Sequence, residues 1–227
     1  MDELASNYWS GANARRANGC HMRVFPNAKR AKALLLSEFK GRRILDVGCG
    51  ASKTPGAIGI DRRRRKDRPD ELQMDIEHDL TVFPWPIEDD SFDLVIVSHV
   101  MEHLPDTVRT MEELKRITQH GGKIYIEVPH YTWFESFRHY EHKHFFTLGS
   151  FDYFVKGNAH YKTDYRIVDK HIFFDDLTYC LGIGFLANLF PRLYEKRLAF
   201  LFPATSFYVT LQADKAEDGA DIEASRA

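Results

Sequence analysis

Apolar and polar positions alternate along the chain with two periods, one typical of helices and one typical of buried strands. Apolar side chains recur at helical spacing in 26–39 and in 105–119, which predicts two helices. Short apolar runs predict seven strands, at 42–50, 57–61, 71–76, 92–100, 122–129, 165–174 and 205–213. Strands that alternate with helices predict an open α/β sheet that binds ligands at the carboxyl ends of its strands.

The stretch 177–202 is largely apolar and predicts further helices. Its first part, 177–190, is apolar nearly all round, which predicts a helix covered by the rest of the domain. Contact with a membrane surface or a lipid tail is the alternative. No apolar run reaches the roughly 18 to 20 residues of a membrane span, and no charged-then-apolar signal segment opens the chain. We therefore expect a cytoplasmic protein without a transmembrane segment.

Composition and charge narrow the class of protein. A chain of 227 residues with 44% apolar and 28% charged residues is ordinary for one soluble domain. The formal net charge is −2, and the five acids in 214–227 face only Lys215 and Arg226, which leaves about +1 elsewhere. This small excess does not indicate a nucleic-acid binder. The three cysteines are far apart and form no C-x-x-C pair, so they indicate neither a disulfide framework nor a zinc ribbon.

The segment "LDVGCGASKTPG", residues 45–56, is a glycine loop after the first predicted strand. A phosphate-binding P-loop requires a different spacing between Gly48 and Lys53, so we reject it. A dinucleotide fingerprint requires a third glycine where Lys53 stands, which weakens but retains a nicotinamide-dependent oxidoreductase as an alternative.

"ILDVGCG", followed by "GID" and by "DLTVFPWPIEDDSFDLVIVSHVMEHL", closely resembles the class I S-adenosylmethionine-dependent methyltransferases. The resemblance covers roughly residues 40–150. It implies a Rossmann-like sheet of seven strands with helices on both faces, six strands parallel and the last antiparallel. It also implies S-adenosyl-L-methionine as the cofactor. We accordingly predict an N-terminal helical segment over 1–40, a methyltransferase domain over 41–213 with substrate-side insertions at about 129–164 and 175–204, and a disordered acidic tail over 214–227.

The resemblance also assigns roles to single residues near the strand ends. Asp46 orients the glycine loop or meets the cofactor's ammonium group, and Asp61 accepts the ribose hydroxyls. Asp79 matches the acid that reads the adenine amine, with Asp75 as the alternative. The complete set of expected cofactor contacts is Asp46, Gly48, Cys49, Gly50, Asp61, Arg62, Asp79, Leu80, Ser98 and His99.

Two features of this region depart from common patterns. Only the seven residues Ala51–Ala57 separate the glycine loop from the second strand, whereas a parallel crossover usually takes a dozen or more. We therefore expect a compressed turn or a displaced crossover. The basic run "RRRRKDR", 62–68, is either a solvated loop or a grip on a phosphorylated or polyanionic substrate.

The segment "HYTWFESFRHYEHKHFF", residues 130–146, follows the fifth predicted strand. It contains neither H-E-x-x-H nor H-x-x-E-H, so we predict no metal, although His139, Glu141, His142 and His144 could meet one in a loop. The segment resembles the Val-Pro-His and "HKRFFT" region of methyltransferases that act on sugars or small metabolites, which places it over the transferred methyl group. The expected substrate contacts are His130, Tyr131, Trp133, Tyr140 and His144.

A hydroxyl acceptor must lose a proton, and an imidazole with an ordinary pKa near neutrality suits that task. Our candidates for this base are His142, then His139, then His103. We therefore predict O-methylation of a sugar or another small metabolite, with a small-molecule or glycan acceptor. The alternatives are a non-catalytic cofactor-binding or assembly protein of this fold, a nicotinamide-dependent oxidoreductase and a nucleic-acid methyltransferase. The last is disfavoured because "SHVMEH" replaces the Asn/Asp-Pro-Pro-aromatic motif.

Overall fold

A seven-stranded sheet forms the centre of the computed structural model, which describes residues 26–62, 74–155 and 163–215. Its strands are β1 (Ile44–Val47), β2 (Ile58–Asp61), β3 (Ile76–Glu77), β4 (Phe92–Ser98), β5 (Thr118–Pro129), β6 (Tyr165–Phe173) and β7 (Ser206–Ala213). The spatial order is β3-β2-β1-β4-β5-β7-β6. Only β7 runs antiparallel to its neighbours, and the other six strands point the same way. The predicted fold class is confirmed.

Helices flank the sheet and connect its strands. They are α1 (Ala28–Glu38), α2 (Thr107–Ile117), α3 (Phe134–Arg138), α4 (Asp176–Cys180), α5 (Ile183–Leu189) and α6 (Pro191–Arg197), with short 3₁₀ helices at Met101–His103 and Ser150–Phe154. Asn27 caps α1 by accepting the N–H of Arg30, and Asp106 caps α2 by accepting that of Arg109. The two helices predicted from apolar spacing, α1 and α2, are confirmed.

Alternate residues of the central strand β4 face two different apolar layers. Val95 and Val97 point into the larger layer, which includes α2. Leu94 and Ile96 point into a smaller layer beneath α1, where Leu35 is buried. All four β4 side chains have no exposed surface, and each buried side chain of this size contributes roughly 1.5 to 3 kcal/mol to folding. This burial on both faces fixes where the carboxyl end of β4 lies.

The first crossover, from β1 to β2, is a compressed turn without a helix. Val47 pairs with Ile60 in parallel register although only ten residues connect the two strands. Gly48, Gly50 and Gly56 have positive φ in this turn, which lets the chain reverse within so few residues. Of the two arrangements expected for this crossover, the structure shows the compressed one.

The prediction of a covered helix over 177–190 is wrong. Gly182, in the left-handed region, and Pro191 divide the stretch into the three short helices α4, α5 and α6. Such short helices each bury one side only, through residues such as Tyr179 and Tyr194. Large side chains that remain more than half exposed are Leu177, Leu181, Phe185, Leu186, Leu189, Phe190, Leu193, Phe200 and Leu201. Among the residues that the structure describes, no helix has the length and apolar character needed to cross a membrane.

Several predictions fall on residues outside the described ranges. These are most of the N-terminal segment, up to residue 25, the basic run beyond Arg62, and the acidic tail beyond Lys215. The third strand was predicted over 71–76; residues 71–73 lie outside the described ranges, and the strand in the structure is Ile76–Glu77.

Candidate functional site

The glycine loop packs directly against the turn that follows β4. Gly48 has a φ of 66°, and a Cβ at this position would lie 2.4 Å from Cγ2 of Val100. Both the backbone conformation and the contact therefore require glycine. The loop after β1 and the turn after β4 form one continuous edge of the site at the carboxyl ends of the strands.

Two aspartates accept hydrogen bonds from backbone N–H groups of the glycine loop. The buried Asp46 accepts the backbone N–H of Thr54 at Oδ2, 2.6 Å away, so its side chain orients the loop. Asp61 accepts the N–H of Gly50 at Oδ2 (2.8 Å) and that of Arg62 at Oδ1 (2.7 Å). Burial, together with the charges of Asp61 and Asp46, raises the pKa of the Cys49 thiol to about 11, so Cys49 is a neutral packing residue here.

Asp75 and Asp79, the two candidates for the adenine-binding acid, have different surroundings. Asp75 accepts hydrogen bonds at Oδ2 from Lys53 Nζ (2.8 Å) and from the N–H of Gly59 (2.6 Å), and these bonds lower its pKa. It thus braces the glycine loop against β2. Asp79 lies two residues beyond β3 and accepts the backbone N–H and the hydroxyl of Thr81, which lower its pKa. Leu80 beside it is buried.

A histidine held by two acids lies at the end of β4. His99, with a φ of 55°, has Nδ1 3.4 Å from Oε1 of Glu102 and Nε2 3.4 Å from Oε1 of Glu127. Desolvation lowers the pKa of His99, but its pairing with the carboxylates of Glu102 and Glu127 outweighs this and raises the pKa to about 10. His99 is therefore an imidazolium at neutral pH. Ser98 also donates to Glu127, at 3.1 Å.

Sequence reasoning missed Glu102 and Glu127. The signal for Glu127 was an acid inside the apolar strand run "KIYIEVP", which is rarely tolerated without a partner. Glu102 lies directly before the candidate base His103 in the segment "VMEHL". Both carboxylates are almost completely buried.

The three histidines proposed as bases come together above this edge. The ring centroid of His142 lies 4.8 Å from that of His103 and 5.1 Å from that of His139, which it stacks against. His142 Nδ1 lies 2.9 Å from the carbonyl oxygen of Ser136, which can only accept, so Nδ1 carries the proton, and Nε2 has no hydrogen bond to any described residue. The N–H of Lys143 donates to the carbonyl of Glu102 at 2.7 Å and holds this segment against the 3₁₀ helix. Burial lowers the pKa of His103.

The expected substrate contacts lie in different surroundings, and His130 is the most deeply buried of them. Its side chain has no exposed surface, with ring nitrogens 2.7 Å from Thr132 Oγ1 and 3.3 Å from Glu195 Oε1, so in this conformation it is a core residue. Tyr131 donates its hydroxyl to the carbonyl of Glu195. Trp133 is half-buried against Phe134, and Tyr140 is 91% exposed. His144 lies with Nε2 3.3 Å from the carbonyl of Pro105.

The part of the chain that contains the glycine loop and β4 is similar to a known protein family. Residues 49–126, from the glycine loop into β5, match the family model described as a methyltransferase domain. The chain has the class I methyltransferase fold. The cofactor of this class is S-adenosylmethionine.

Relatives of this methyltransferase domain agree with the match. The chain is 29% identical over 106 residues to the methyltransferase GfsG of Streptomyces halstedii, which is 38% of this chain and 37% of that protein. It thus spans little more than a third of the length of the curated relative that it matches.

Solved methyltransferases share the fold. An S-adenosylmethionine-dependent methyltransferase from Archaeoglobus fulgidus is 22% identical, with a TM-score of 0.54 over 81% of this chain and 93% of its own. One from Mesorhizobium loti is 17% identical, with a TM-score of 0.54 over 81% of this chain and 96% of its own. At these identities the likeness concerns the fold alone.

Proposed function

We propose that this protein transfers the methyl group of S-adenosylmethionine to a hydroxyl oxygen of a sugar or another small metabolite. The observation that carries the proposal is the meeting of His103, His139 and His142 above the carboxyl end of β4 in a methyltransferase domain. A nitrogen acceptor with a free lone pair needs no such base, whereas a neutral hydroxyl must lose a proton.

The cofactor side of the proposal rests on the residues around the glycine loop. Asp61 lies at the end of β2 with its carboxylate already oriented by the N–H groups of Gly50 and Arg62. In the proposed complex it accepts the ribose hydroxyls through its remaining lone pairs, and Asp79 reads the adenine amine. Ser98 and His99, at the end of β4, lie beside the methionine portion.

In the proposed reaction the bond between methyl carbon and sulfur breaks while a bond between methyl carbon and acceptor oxygen forms. The sulfonium is already a good leaving group, so the protein mainly aligns the three atoms and excludes water. The hydroxyl proton passes to an imidazole of the cluster, a step that contributes about 10²- to 10⁴-fold to the rate. The products are S-adenosylhomocysteine and the methyl ether.

The exposed apolar side chains of α4, α5 and α6 support the membrane-surface alternative that we kept for this stretch. Nine large apolar residues between 177 and 201 are more than half exposed, more than scattered surface residues normally provide. Arg192, Lys196 and Arg197 are exposed among them, a charge that suits anionic headgroups. We propose that this face rests on an anionic bilayer.

The proposed methyl transfer is tested with methyl-labelled S-adenosylmethionine and a panel of sugars, hydroxylated metabolites, amines and nucleic acids. We expect label in an O-methyl product, and His139→Ala and His142→Ala should lower turnover at least tenfold while leaving S-adenosylhomocysteine affinity unchanged. His120→Ala, at the far end of β5, is the control. Label in amine or nucleic-acid products, or full activity in both histidine variants, would overturn the proposal.

A further inference from the structure

The carboxylate of Glu102 is buried, and among the described residues it pairs with His99 but accepts no hydrogen bond of normal geometry. Its side chain is 2% exposed, and neither Oε1 nor Oε2 receives a hydrogen bond from any residue that the structure describes. The nearest side-chain cation is His99, whose Nδ1 lies 3.4 Å from Oε1. Buried carboxylates normally accept several hydrogen bonds or bind a metal ion, because an oxygen without a partner is costly to bury. His99 pairs with Oε1 only, so among the described residues Oε2 of Glu102 is left open to a further positive partner.

Two imidazoles bring a ring nitrogen close to this carboxylate. One ligand atom from each of Glu102, His103 and His142 lies within 4.8 Å of the other two. His142 donates Nδ1–H to the carbonyl of Ser136, and His103 hydrogen-bonds the backbone of Glu141. Metal-binding histidines almost always donate their second ring nitrogen to a carbonyl or carboxylate in this way, because the bond fixes both tautomer and orientation.

We propose that Glu102, His103 and His142 bind one divalent transition-metal ion. Two imidazoles and one carboxylate suit Zn²⁺, Co²⁺, Ni²⁺ or Fe²⁺ better than Mg²⁺ or Ca²⁺, which prefer oxygen ligands. Metal–ligand bonds of about 2.0 to 2.2 Å place ligand atoms roughly 3 to 3.5 Å apart, so the three side chains need to close by about an ångström. The sequence suggested a different possible metal site in the loop, formed by His139, Glu141, His142 and His144. The proposed set shares only His142 with it.

Three protein ligands leave a coordination position open, and the role of that position rests on the proposed function. A cation at the carboxyl end of β4 would take the acceptor oxygen as a further ligand and lower the pKa of its hydroxyl. His142 then serves as a ligand instead of the base. His139, which stacks on His142 and is outside the ligand set, is left as the imidazole for the departing proton.

The binding test uses the full chain, freed of metal by chelation, and needs no acceptor. Calorimetric titration with Zn²⁺ should show one site per chain, and Co²⁺ should give visible absorption bands of a nitrogen- and oxygen-ligated ion. Glu102→Gln, which keeps the side-chain shape, and His142→Ala should each weaken Zn²⁺ binding at least tenfold. His120→Ala controls for adventitious binding to an exposed histidine and should match the wild type.

The outcomes separate this inference from the proposed function. No saturable Zn²⁺ or Co²⁺ site in the wild type, or wild-type affinity in both Glu102→Gln and His142→Ala, would overturn the metal site. An equal loss in His120→Ala would overturn it as well. If methyl transfer persists unchanged after chelation, the metal has no role in the reaction, and the proposed function is unaffected. If the protein binds the metal ion but methylates no acceptor, the metal site is supported and the proposed function is refuted.

Discussion

Asp61 accepts the backbone N–H of Gly50 over 2.8 Å, and this hydrogen bond joins the end of β2 to the glycine loop after β1. The bond fixes the acid and the loop relative to each other before any ligand arrives. A cofactor that contacts both groups then binds without having to order either of them. Such preorganisation reduces the entropy cost of binding.

Replacing Asp61 by Ala should weaken S-adenosylhomocysteine binding by at least tenfold, because it removes both the expected ribose contact and the bond that holds Gly50. Isothermal titration calorimetry measures the effect. Asp89→Ala is the matched control, since Asp89 is exposed and pairs with Arg116 away from the glycine loop. Wild-type affinity in Asp61→Ala would refute the assignment.

Asp75 and Asp79 should respond differently to removal of the carboxylate. Asp75→Ala deprives Lys53 and the N–H of Gly59 of their partner and should lower the free energy of unfolding by about 1 to 2 kcal/mol. Asp79→Ala should leave stability nearly unchanged and weaken S-adenosylhomocysteine binding about tenfold. Urea unfolding and calorimetry on both variants check this. The opposite pattern would make Asp75 the adenine-binding acid.

Gly48→Ala should destabilise the protein more than Gly56→Ala. Both glycines have positive φ, which costs an L-residue about 1 to 2 kcal/mol. An added Cβ meets Val100 at 2.4 Å in the first case and nothing within 4 Å in the second. Urea unfolding should therefore show a further loss of about 1 to 3 kcal/mol for Gly48→Ala, the usual range for overpacking. Equal losses would mean that the loop does not pack against Val100 in solution.

The exposed face of α4, α5 and α6 predicts binding to anionic membranes. The wild type should sediment with vesicles containing phosphatidylserine and not with pure phosphatidylcholine, and high salt should reduce binding. Leu189→Ser should lower the bound fraction at least twofold, whereas Leu34→Ser, a similarly exposed leucine on α1, should not. Failure of the protein to bind either vesicle type would contradict this prediction. So would a dimer that Leu189→Ser dissociates, because a second copy of the chain would then cover this face.

Local pattern was sufficient to predict the sheet and the acids at its edge. The runs that became β1, β2 and β4 are short and apolar, and Asp61, at the end of β2, can only lie at the carboxyl end of a parallel sheet. Chain length together with Pro55 and Gly56 reduced the first crossover to a compressed turn or a displaced connection, and the structure shows the compressed turn.

Local pattern was insufficient where tertiary packing decides the outcome. The apolar character of 177–190 indicated burial, but burial requires a partner surface, and the short helices leave much of that stretch exposed. His130 was expected to face a substrate, yet its place one residue after β5 puts the ring between Thr132 and Glu195. The convergence of Glu102 with His103 and His142 depends on how residues 142–144 dock onto the 3₁₀ helix, which spacing along the chain does not reveal.

The most direct test of the central claim is calorimetric titration of the full chain with S-adenosylhomocysteine and, separately, with NAD⁺. A class I methyltransferase domain with an intact glycine loop and Asp61 predicts one saturable site per chain for S-adenosylhomocysteine and no measurable binding of NAD⁺. Saturable NAD⁺ binding without S-adenosylhomocysteine binding would contradict the account.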